Sequence, residues 1–113
     1  MVQTTLKKGI VFFELEKTRR IIEKAMHLEI TWAYEDIVFV EHSAFLIRFD
    51  KENTTKLHCY FNTDCPKMES KFIYKCLVKA ADEEAMSITN SGTFTLLEGK
   101  GKDEIQVKFL EAV

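Results

Sequence analysis

The stretch that decides the fold is Ala44-Phe45-Leu46-Ile47-Arg48-Phe49-Asp50, followed by Lys51-Glu52-Asn53-Thr54-Thr55 and then Lys56-Leu57-His58-Cys59-Tyr60-Phe61-Asn62. Side chains on a strand point to opposite faces with period two. Phe45, Ile47 and Phe49 therefore share one face with each other, as do Leu57, Cys59 and Phe61. The intervening five residues favour turns. The stretch predicts an antiparallel hairpin with one apolar face and one mixed face. The mixed face carries Leu46, Arg48, His58, Tyr60 and Asn62.

Upstream, Ile30, Trp32 and Tyr34 fall on one side of a strand, and Glu35-Asp36 interrupts the run. Ile37 to Val40 is continuously apolar, as in a strand buried on both faces. His42-Ser43 reads as a tight turn. Residues 10–28 read as a helix from the spacing of Val11, Phe12, Leu15, Ile22, Ala25 and Met26. Gly9 to Phe13 also has strand composition, so residues 9–15 are open between helix and edge strand.

Downstream, Pro66 suits the first turn of a second helix, with Asp64 or Cys65 as its N-cap. Phe72, Ile73, Cys76, Leu77, Ala80 and Ala81 form the expected buried stripe. Thr89-Asn90-Ser91-Gly92 reads as a loop. Residues 93–97 and 104–110 read as two strands, with Glu98 to Asp103 between them. Thr95, Gln106, Lys108 and Leu110 are placed on the mixed face with the first hairpin, and Trp32 and Tyr34 on it or at its edge.

The expected order is α-β-β-β-α-β-β. The economical arrangement is a single α+β domain over residues 1–113, with an antiparallel sheet of four to five strands and two helices on one face. The order resembles the core of type III secretion chaperones, which are small acidic cytoplasmic homodimers that bind effector segments. That resemblance is one of element order, without a shared motif, and it carries over no site residue.

Composition narrows the function classes. The chain has 113 residues, 46% of them hydrophobic and 30% charged, with a formal net charge of -2. That is ordinary for a soluble globular domain. Acids sit among the bases, so no basic stripe marks a nucleic-acid binder. No apolar run approaches the roughly 20 residues that span a bilayer, and the N-terminal residues lack a secretory pattern. Three irregularly spaced cysteines point to free thiols and a cytoplasmic setting.

No catalytic constellation is visible. Cys65 is the sharpest chemical candidate, because a helix N-terminus lowers a thiol's pKa. Cys59 and Cys76 read as core residues. His58 and Cys59 point to opposite faces, so they do not form a metal pair with Cys65, and no metal or cofactor is expected. Gly99-Lys100-Gly101-Lys102 lacks the spacing and the helix of a phosphate loop. The leading expectation is a non-enzymatic binding or assembly protein, a homodimer acting through Leu46, Arg48, His58, Tyr60, Asn62, Gln106 and Lys108, with no nucleic acid or membrane as partner. The alternative is a small thiol-dependent enzyme or redox sensor built on Cys65.

Overall fold

The computed structural model describes residues 15–98 and 105–111. A helix, α1, covers residues 15–26. It is followed by β1 (Ile30–Tyr34), β2 (Ile37–Val40), β3 (Phe45–Phe49), β4 (Lys56–Asn62), α2 (Lys67–Glu83), β5 (Ser87–Glu98) and β6 (Ile105–Glu111). The α+β class holds, with two helices and one sheet. The open question over residues 9–15 falls on residues that lie, apart from Leu15, outside the described ones.

The sheet has six strands in the order β1-β2-β3-β4-β5-β6, not four or five. It is mixed, because β4 and β5 pair in parallel across the α2 crossover while the other neighbours are antiparallel. The extra strand comes from residues 30–40, which divide at Glu35 and Asp36 into two strands. Glu35 takes a positive φ of 53° there, which closes the reversal. His42 and Ser43 also have positive φ, 67° and 51°, in the 3-10 turn at Glu41–Ser43 that joins β2 to β3.

The loop expected at Thr89 to Gly92 is instead the middle of β5. Cys59 pairs with Asn90 and Tyr60 with Gly92, so Ser91 is the extra residue of a bulge. Gly92 has φ of 143°, a conformation that a residue with a Cβ resists. Turn-favouring residues are present here because the strand is kinked at this point, and the kink does not end it.

Both helices pack on the first face of the sheet. Ile21 and Ile22 of α1 and Ile73, Leu77, Ala80 and Ala81 of α2 share a cluster with Val38, Val40, Phe45, Ile47, Leu57, Cys59 and Phe61. The predicted alternation of the central hairpin is therefore the alternation of the core. Phe72 departs from the expected stripe: it is 61% exposed. The buried arc of α2 is centred on Ile73, Leu77 and Ala80, and Phe72 lies beyond its edge. The helix begins at Lys67 with Pro66 as the residue before it, one or two positions later than expected, and Ser70 N–H closes the first turn on Pro66 O.

Candidate functional site

Among the described residues no helix lies on the second face of the sheet, yet half of that face is closed. Leu46 is fully buried, Tyr60 is 4% exposed and Phe94 1%. They pack with Phe39, Leu96, Val107 and Phe109 in a second apolar cluster. The cover is the hairpin of β5 and β6. In a flat sheet β6 lies about 10 Å from β4 and about 14 Å from β3. The Phe109 ring nevertheless meets Tyr60 edge-on at 4.7 Å, and the Arg48 guanidinium stands over it at 4.8 Å. Gly92, opposite Tyr60, has no side chain, and Phe109 reaches Tyr60 from β6.

This arrangement corrects the expected face. Phe94 pairs with Asn62 and Phe109 with Phe94, and Leu96 with Val107, so these four apolar residues of β5 and β6 are on the second face. Thr95, Gln106, Lys108 and Leu110 lie on the reverse side of the hairpin, with Thr95 opposite Lys108. Gln106 and Lys108 are exposed there, apart from Leu46, Arg48, His58, Tyr60 and Asn62. Leu46 and Tyr60 are interior residues and offer almost no surface. Asn62 holds a turn: its Nδ2 donates to Ser43 O at 3.0 Å, and its Oδ1 accepts from Asp64 N–H at 2.9 Å.

Arg48 and His58 stand beside an open cleft of about 380 Å³ that is also lined by Asp36, Asp50, Tyr60 and Ser91. Arg48 Nε lies 3.1 Å from Asp36 Oδ2. Partial burial lowers the Arg48 pKa, but Asp36, with Tyr60 behind it, more than offsets this and the net shift is upward. His58 Nε2 is 2.8 Å from Asp50 Oδ1, and its Nδ1 is 2.8 Å from Ser91 Oγ. A carboxylate can only accept, so Nε2 donates to Asp50, and Nδ1 and the Ser91 hydroxyl share a second hydrogen bond. Asp50 is held down to about 2 by His58 and by the backbone N–H groups of Asn53 and Glu52.

A serine, histidine and aspartate in line invite comparison with an acyl-transfer site. Such a site needs N–H donors aimed at the developing oxyanion beside the nucleophile. The Gly92 N–H, next in sequence to Ser91, already donates to Asn90 Oδ1 at 3.3 Å. The three side chains instead tie the loop after β3 to the β5 bulge. They were missed in the sequence because Asp50 and Ser91 lie 8 and 33 residues from His58. The hairpin does place Asp50 near His58, and that was the one available signal.

Cys65 does not gain the activation expected of it. The thiol is half-buried, and burial, then the charge of Glu69, pushes its pKa up. Its Sγ is 3.7 Å from Pro66 O. Cys59 is buried in the core, and that burial raises its thiol strongly. Among the described residues no cluster of three or more His, Cys, Asp or Glu could hold a metal ion, and no helix is long and apolar enough to cross a membrane.

The other half of the second face is open. Trp32 pairs with Phe39 and Tyr34 with Ile37, so both aromatics lie on this face and on edge strand β1. Trp32 is 62% exposed and Tyr34 56%. Their rings are 6.0 Å apart, and Trp32 stacks on Phe39 at 6.2 Å. The residues of β1 are Ile-Thr-Trp-Ala-Tyr, without a charge. Comparison with protein-family models, curated proteins and solved structures finds no match for this chain.

Proposed function

We propose that this chain is a small non-enzymatic binding and assembly protein that self-associates as a homodimer through the open half of the second sheet face. The observation that carries this reading is the pair of exposed aromatics, Trp32 and Tyr34, on an uncharged edge strand. Natural edges are usually protected by charges or by cover, because a free row of backbone groups recruits another strand. Here the Thr31 irregularity between Ile30 and Trp32 is the only such device within the strand. Trp and Tyr are also the residues in which interface energy concentrates.

The magnitudes suit a reversible dimer. Covering both aromatics removes on the order of 250 Å² per protomer from water, given the roughly 150–250 Å² that an aromatic side chain can bury. At about 25 cal/mol per Å² this contributes roughly 6 kcal/mol per protomer. The cost of association is about 4–15 kcal/mol, so the dimer should form and dissociate within an accessible concentration range. Light scattering on a dilution series tests it. The expected result is a dimer that dissociates on dilution and is reduced to monomer by Trp32→Lys. A monomer at every concentration overturns the reading.

A further inference from the structure

The charges on α2 run against its dipole. Cations stabilise the C-terminal end of a helix and anions the N-terminal end. In α2 Lys67 and Lys71 open the helix on either side of Glu69, the acid of the first turn, and the last turn has no basic residue. At the C-terminal end the inversion has a local explanation, since Glu84 pairs with Arg20 and Glu83 with Lys24 of α1. At the other end it has none. Lys67, Lys71, Lys75 and Lys79 recur every four residues along about 18 Å of helix, all exposed. Arg19, Arg20, Lys24 and Arg48 each face a carboxylate, and no ion pair among the described residues includes the four α2 lysines.

Two large apolar side chains stand in the same stripe, Met68 at 85% exposed and Phe72 at 61%. At one and five residues after Lys67 they lie between the lysines on the outward side, opposite the buried Ile73, Leu77 and Ala80. We infer that the outer face of α2 is a docking surface for an acidic amphipathic segment of another protein, with carboxylates on the four lysines and apolar side chains against Met68 and Phe72. Charge complementarity favours a narrow protein segment over a flat anionic membrane. The four lysines and the two apolar side chains form one narrow line along a single helix, which matches the width of another helix and not a plane of headgroups. The surface is on the helix face of the sheet, opposite Trp32 and Tyr34, so it is independent of the dimer.

The test uses the full chain and a fluorescein-labelled helical peptide with Glu at every fourth position beside a Leu stripe, read by anisotropy. The peptide should bind in a salt-sensitive manner. The Lys71→Glu/Lys75→Glu variant should weaken binding about tenfold, the sum of two reversed surface pairs. Phe72→Ala should weaken it roughly fivefold. Lys108→Glu, which changes charge on a different surface, and Trp32→Lys should leave binding unchanged. The inference is overturned if a scrambled peptide of the same composition binds equally well, if the double lysine variant binds unchanged while folded by circular dichroism, or if phosphatidylserine vesicles bind the chain and displace the peptide.

Discussion

The two halves of the second sheet face belong to one sheet with the same alternation, and they end in opposite environments. On one half Leu46, Tyr60 and Phe94 are interior residues packed with Leu96, Val107 and Phe109 of the β5–β6 hairpin. On the other, one or two strands away, Trp32 and Tyr34 stand in solvent with Phe39 half-buried under them. Phe39, Leu46, Tyr60 and Gly92 form a single row across four strands. Burial along that row is decided by which side chains of neighbouring strands reach across it, as Phe109 reaches Tyr60. An apolar residue on a strand therefore marks a face, and topology decides whether that face is core or surface.

The sharpest contrast between the halves is a charge placed in each. Leu46→Asp should abolish the folded state, because it opens a closed cluster and buries an unpaired carboxylate, at a cost of about 4 kcal/mol or more. Trp32→Lys should change stability by no more than about 1 kcal/mol. Urea unfolding followed by circular dichroism measures both, and equal effects would mean that the halves do not differ.

The cover itself can be tested at Gly92. A side chain at φ of 143° is strained, and it would also occupy the space over which Phe109 reaches Tyr60. Gly92→Val should cost about 2–3 kcal/mol and expose Tyr60 to solvent. A variant as stable as the parent would contradict the role of Gly92 in that contact.

A smaller effect is expected where His58 ties the bulge to the loop after β3. Asp50 is lowered from 3.8 to about 2 in the folded chain. Its contribution is therefore complete above the unfolded value and is lost as pH falls through about 2. Thermal melts between pH 5 and 2 should show the parent losing stability through that window, with a flatter profile for Asp50→Asn. Parallel profiles would show that the Asp50–His58 contact does not contribute.

The smallest expected change is at Cys65. Its alkylation by iodoacetamide should be no faster than that of a free thiol of pKa about 8.5, since burial and Glu69 both disfavour the thiolate. A rate well above that would revive the thiol chemistry that its position before α2 suggested.

The sequence made the first core legible, because Phe45, Ile47, Leu57, Cys59 and Phe61 alternate without interruption and Ile73, Leu77, Ala80 and Ala81 recur at helical spacing. It also showed that Ile105, Val107 and Phe109 share a face with each other. It could not show which face, because period two distinguishes two sides without naming either. That ambiguity put Gln106 and Lys108 beside Arg48 and His58, when the register puts them on the reverse side. Thr89 to Gly92 read as a loop because bulge residues and loop residues have the same chemistry. The exposed pair Trp32 and Tyr34 was visible as a strand face, but its freedom from cover was not. The second cluster and the Asp50–His58–Ser91 tie needed tertiary proximity.

Trp32 is the only tryptophan of the chain, so its fluorescence reports the open half of the face directly. The decisive measurement is its emission maximum and acrylamide quenching across a wide concentration series. Self-association through this surface predicts an exposed, quenchable indole at high dilution that shifts to the blue and becomes protected as concentration rises. An indole that stays exposed and equally quenchable throughout would contradict it.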